Sequence, residues 1–158
     1  MNTFDFTSKS VLITGSSRGI GLGIAQAFAA AGATLILLAD DPAVLSVAQE
    51  LGGVGHVADI ADPQAVQTVL GTLEHLDVVV NNAGLERLTP LAAQDAATVA
   101  TFGRIIDINI MGTYHVTRTA LPLLGNGGVI LNTASIWGRV AEPLFGAYVA
   151  CLLYTSDA

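Results

Sequence analysis

One stretch limits what this chain can fold into more than any other: Thr14-Gly15-Ser16-Ser17-Arg18-Gly19-Ile20-Gly21. It follows the apolar run Val11-Leu12-Ile13 and leads into Ile24-Ala25-Gln26-Ala27-Phe28-Ala29, so it reads as strand, glycine-rich turn and helix. Such a turn places backbone N–H groups and the positive end of a helix dipole where an anionic pyrophosphate can sit. Gly15 can take the angles of a tight turn, Gly19 leaves room for a phosphate, and Gly21 lets the helix approach the strand. Ser17, Arg18 and Ile20 fill the turn between them. The spacing is Gly-x-x-x-Gly-x-Gly, and no Lys follows the last Gly, which excludes a Walker-type phosphate loop.

The same alternation recurs along the chain. Thr34–Ala39 is an unbroken apolar run, and Asp40-Asp41-Pro42 after it reads as a helix cap with Pro in the first turn. Gly55–Ala58 is a short strand ending at Asp59, and Asp62-Pro63 repeats the cap-and-Pro signal. Asp77–Val80 is a strand running into Asn81-Asn82-Ala83-Gly84; a long helical region follows, about Ala96 to Leu124. Gly125-Asn126-Gly127-Gly128 reads as a turn before a fifth strand, Val129–Thr133. Strands alternating with helices predict an α/β, doubly wound parallel sheet of Rossmann type. A hydrophobic content of 52% with only 12% charged residues suits a sheet buried on both faces. In such sheets ligands bind beyond the carboxyl ends of the strands. The glycine turn, Asp40, Asp59, Asn81–Gly84 and Ser135 all fall there.

Composition narrows the partners. A net charge of −7 argues against a nucleic-acid partner, because phosphate binding needs a basic face. The apolar segments are too short or too interrupted to span a bilayer, and Met1 to Lys9 is polar, so a membrane and a signal peptide are not expected. One cysteine, Cys151, excludes an internal disulfide framework and fits a cytoplasmic setting. His56, His75 and His115 are scattered, and no metal site is expected.

Together these residues resemble the short-chain dehydrogenase/reductase family. Thr14–Gly21 is similar to its Thr-Gly-x-x-x-Gly-x-Gly, and Asn81–Gly84 to its Asn-Asn-Ala-Gly, which braces the sheet and lines the cofactor site. The resemblance implies that Asp59 contacts an adenine with Ile60 beside the ring, and that Asn81, Ala83 and Gly84 belong to the cofactor site. It implies a catalytic set of Asn109, Ser135 and Tyr148: Tyr148 exchanges a proton with the substrate oxygen, Ser135 hydrogen-bonds that oxygen, and Asn109 holds a relay water. The reaction implied is hydride transfer between NAD(P) and an alcohol or ketone, by a homodimer or homotetramer. A free phenol has a pKa of about 10, and the family lowers it with a Lys four residues after the Tyr. The acidic pair Asp40-Asp41 favours NAD over NADP, with Arg18 as a counterweight. Leu85, Glu86, Trp137, Val140 and Leu144 are candidates for an apolar substrate pocket.

The pattern breaks at the end. Tyr148 is followed four residues on by Leu152, where the family has Lys, and then by Leu153-Tyr154-Thr155-Ser156-Asp157-Ala158. Cys151–Ala158 reads as a translated sequencing adapter. The expectation is therefore a dinucleotide-binding domain over residues 1–150, a non-native tail over 151–158, and a sheet left incomplete at the C-terminus. A fragment of this kind lacks the catalytic Lys and is expected to be inactive.

Overall fold

The computed structural model describes residues 4–140 and 142–155. Five strands form one parallel sheet: β1 (Ser10–Thr14), β2 (Thr34–Ala39), β3 (Val54–Val57), β4 (Leu76–Asn81) and β5 (Leu124–Asn132), in the spatial order β3-β2-β1-β4-β5. The chain builds outward from β1 through β2 to β3, then crosses back to lay β4 on the other side of β1. That reversal opens a crevice at the carboxyl ends of β1 and β4.

The apolar runs are explained by two-faced burial. Val11 and Ile13 of β1 point to one face and Leu12 to the other, as a strand period of two requires. On the first face they join Leu35, Leu37, Val78 and Val80 under α1 (Gly19–Ala30) and α2 (Ala43–Glu50). On the second, Leu12 joins Ile36, Leu38 and Val79 under α3 (Pro63–Leu70) and α5 (Thr113–Ala120). Each such fully buried aliphatic side chain contributes about 1.5–3 kcal/mol.

Local signals account for the helix starts. Asp62 Oδ1 accepts from the amides of Gln64 and Ala65, and Asp41 Oδ1 accepts from Ala43. The long helical region is α4 (Ala96–Ile106), a π-helical segment Asp107–Gly112, and α5, ending in a 3-10 turn Leu121–Leu123. The glycine run is absorbed into β5: between the pairs Leu76↔Leu124 and Val78↔Val129 the register shifts, and Gly125–Gly128 forms the irregularity.

The C-terminal expectation needs correction. The fold does not stop near Ala150. Helix α6 (Gly146–Thr155) runs without a break across the supposed junction. Ala147 and Cys151, one turn apart, are both buried and close a third apolar cluster with Ile105. Burial pushes the Cys151 thiol upward from its ordinary value. Leu152, one turn beyond Tyr148, lies against Gly138. Cys151 and Leu152 therefore continue the inward stripe of the helix, and neither a truncated sheet-and-helix arrangement nor a foreign tail beginning at residue 151 describes them. The region in which the family carries its Lys is likewise present as a packed helical turn, with Leu at position 152. Residues 156–158 of the expected tail lie outside the described residues.

Asp77 pins the opposite edge of the sheet, at the amino ends of β1 and β4. Its carboxylate accepts from Lys9 Nζ and from the Ser10 amide, each at 2.9 Å, with His75 Nε2 at 3.5 Å. The Lys9 hydrogen bond first, and the Ser10 amide second, hold its carboxyl down at about 2. An unfolded Asp titrates near ~3.9, so the folded state binds fewer protons between these values. The stabilisation is present above pH ~4 and is lost as pH falls toward ~2. Urea unfolding across this range should show a steeper acid loss for the native chain than for Asp77→Asn; identical slopes would contradict this.

Candidate active site

The glycine turn is held open by its neighbours. Gly15 and Gly19 take φ of +66° and +57°. A Cβ on Gly15 would lie 2.8 Å from Ala83 Cα, and one on Gly21 would lie 2.1 Å from the Gly15 carbonyl oxygen and 2.6 Å from Asn82 Nδ2. Only hydrogen atoms fit at these two contacts. The Gly15 amide is committed to Leu38 O at 2.7 Å. The start of α1 differs from those of α3 and α4 in one respect: Arg18 at its N-cap makes no side-chain cap. The Asp62 and Asp95 side chains cap the other two. The first amides of α1 therefore open onto the strand ends without a side-chain cap from Arg18.

Thr14 and Asn82 tie this turn to the end of β4. Thr14 Oγ1 accepts from the amides of Asn82 and Ala83 at 3.1 and 3.0 Å and donates to Val80 O at 3.4 Å. Asn82 Nδ2 donates to the carbonyls of Thr14 and Gly15 at 3.1 and 3.3 Å. Asn81 points away from the turn. Its Nδ2 donates to Thr117 Oγ1 and Asn132 Oδ1, both at 2.9 Å, bracing α5 and β5 against β4. The motif marks Asn81, Ala83 and Gly84 for the site; Asn82 is the one bonded to the turn, Asn81 lines only the second cavity beyond it, and the two-residue alternation of a strand end separates them.

A cleft of about 440 Å³ lies over these strand ends, lined by Gly15, Ser17, Arg18, Gly19, Ile20 and Gly21 on one side. Asp40, Asp59, Ile60, Ala83, Gly84 and Arg87 are among the residues opposite, with Leu38, Ala58 and Ile108 adding apolar lining. Two ion pairs reach its rim. Arg18 Nη1 meets Asp41 Oδ2 at 2.7 Å, and Arg104 of α4 meets Asp59 Oδ2. Neither pair was foreseen, because each joins residues far apart in the chain.

A second cavity, of about 490 Å³, shares Asn82, Ala83 and Gly84 with the first, so the two form one groove. Its walls bring together Asn109, Ser135 and Tyr148, with Arg139, Cys151 and Leu152. Asn109 sits in the π-helical segment, a distortion frequent at functional sites. Its amide side chain is locked to the Leu85 backbone: Oδ1 accepts from Leu85 N at 2.8 Å and Nδ2 donates to Leu85 O at 2.9 Å. Ser135 Oγ accepts from the Trp137 amide at 3.3 Å, which leaves the hydroxyl hydrogen for another acceptor. Tyr148 is half-buried on α6, its ring edge-on to Trp137 at 5.7 Å, and Trp137 meets the Phe145 ring at 4.7 Å with a tilt of 34°. Val140 and Leu144 are exposed and line neither cavity, and Leu144 holds a φ of +73°. Among the described residues no group of three His, Cys, Asp or Glu could hold a metal, and no helix is long and apolar enough to cross a membrane.

The glycine contacts are directly testable. Gly21→Ala should cost at least about 1–3 kcal/mol through overpacking. Gly23→Ala, on the open face of the same helix with nothing near its Cβ, should instead stabilise by about 0.5–1 kcal/mol. Denaturant midpoints decide; equal effects would mean that the close approach at Gly21 is absent.

Comparison with known proteins gives a consistent picture. The chain is 39% identical over 154 residues to oxidoreductase UcpA of Escherichia coli (strain K12), covering 90% of this chain and 57% of that protein. It is 37% identical over 154 residues to D-beta-hydroxybutyrate dehydrogenase of Cupriavidus necator, covering 90% of this chain and 58% of that protein. The chain thus spans less than two thirds of the length of these relatives. A crystal structure described as a short chain dehydrogenase from Escherichia coli CFT073 complexed with NADPH superposes with a TM-score of 0.88 at 26% identity, covering 99% of this chain and 71% of that one. The family model for short chain dehydrogenase matches residues 9–151, and this chain belongs to that family.

Proposed function

We propose that the protein binds a nicotinamide dinucleotide along the groove and belongs to an oxidoreductase that acts on an alcohol or ketone. The observation that carries this reading is the continuity of the groove, which joins a glycine turn with an uncapped helix start to a cavity holding Tyr148, Ser135 and Asn109. The residues fit the cofactor: glycine at positions 15 and 21 lets the backbone of the turn close against Ala83 and α1, Gly19 leaves its Cβ position open to the cleft, and the amides opening α1 suit a pyrophosphate. When bound, the nicotinamide supplies a hydride donor or acceptor. The protein's own part is proton handling and orientation. Ser135 donates its hydroxyl hydrogen to the substrate oxygen, and the Tyr148 phenol takes the proton of that oxygen as the CH–OH carbon loses hydride, or returns it as the carbonyl carbon gains hydride. Asn109 fixes the Leu85 backbone where the two halves of the groove meet.

NAD is the preferred cofactor in this reading. Asp40 lines the cleft beyond β2, and Arg18, one of two arginines lining it and the one in the glycine turn, is drawn onto Asp41. A second reading, a dinucleotide-binding module without turnover, draws support from Leu152 on the cavity wall where the family pattern has Lys.

Calorimetry and turnover on one set of variants test these points. The unaltered chain should bind NAD more tightly than NADP, and Asp41→Ala should raise NADP affinity about fivefold by freeing Arg18. Oxidation of a panel of secondary alcohols should be slow and should rise about tenfold or more in Leu152→Lys. Binding of neither dinucleotide overturns the proposal; tight NAD binding with no turnover in either form selects the second reading.

A further inference from the structure

We propose that Arg104 is a positioning residue for the outer end of the cleft: its guanidinium holds the Asp59 carboxylate toward the space that the base of a bound dinucleotide would occupy. This rests on the dinucleotide reading above.

The carboxylate is engaged from two directions. Asp59 Oδ1 accepts from the Ala61 amide at 2.9 Å, within its own loop, and Oδ2 accepts from Arg104 Nη2 on α4. Each oxygen has one partner and keeps further acceptor capacity. Held at both oxygens, the group cannot rotate freely. The pair sits on the rim, with side chains 41% and 39% exposed, where an ion pair adds little to folding stability. Its effect is therefore one of orientation and charge.

The surroundings favour a flat, amino-bearing ring. Leu38, Ala58, Ile60 and Ile108 make an apolar floor, and Asp59 supplies an acceptor at its edge. Asp40 stands on the same rim. An unpaired Asp59 would add a further negative charge to a cleft that Asp40, Arg18 and Arg87 also line, and Arg104 offsets it locally.

Arg104→Met keeps the aliphatic stem and removes the charge, Arg104→Lys keeps the charge, and Arg104→Gln guards against misfolding of the first. Affinities are measured for NAD, for AMP, which carries the base, and for nicotinamide mononucleotide, which lacks it. In Arg104→Met and Arg104→Gln, NAD and AMP should bind about fivefold more weakly while the mononucleotide stays within about twofold, and Arg104→Lys should recover most of the loss. Unchanged NAD and AMP binding, or an equal weakening of all three ligands, overturns the proposal. An unaltered chain that binds NAD but fails this test removes the role of Arg104 alone; one that binds no NAD removes the dinucleotide reading and this role together.

Discussion

The structure depends on a meeting of two backbones at the point where β1 and β4 diverge. The Gly15 carbonyl lies so close to Gly21 that no side-chain carbon fits between them, and Ala83 closes over Gly15 from the other strand. The Thr14 hydroxyl and the Asn82 amide fasten this junction with hydrogen bonds to backbone groups on both sides. A larger residue at Gly15 or Gly21 would push α1 away from the sheet. The first amides of α1 would then no longer face the crevice left by the strand order.

From that junction the chemistry is graded along one groove. At one end lie carboxylates on a rim above an apolar floor, each of two tied to an arginine. In the middle lie the amides that open α1. At the other end a phenol, a hydroxyl and a locked asparagine share a cavity. The parallel sheet makes this possible, because every strand delivers its carboxyl end to the same side. The buried aliphatic layers on both faces hold those ends in register.

Much of this was legible in the residues themselves. Asp62 before Pro63 gave its helix start, and the apolar run of β2 its burial, because capping and two-faced burial act over a few residues. The arrangements that could not be read are those made through space or by backbone register. Arg104 reaches Asp59 from 45 residues away. The π-helical turn around Asn109 has no marker in the residue types. Asn81 and Asn82 exchange the expected emphasis because consecutive residues at a strand end face opposite ways. The reading of residues 151–158 as foreign weighed the departure from Lys at position 152. It overlooked that Cys151 falls one turn after Ala147 on the buried stripe of α6.

The central claim is that a dinucleotide lies along this groove with its pyrophosphate on the amides that open α1. Titrating the 15N-labelled protein with NAD and following backbone amide resonances tests it most directly. The account predicts that the largest shifts fall on Ser17, Gly19, Ile20 and Gly21, with Ala83 and Gly84 moving in the same titration. Saturation by NAD that leaves those amides unmoved, or no response at any amide, would contradict it.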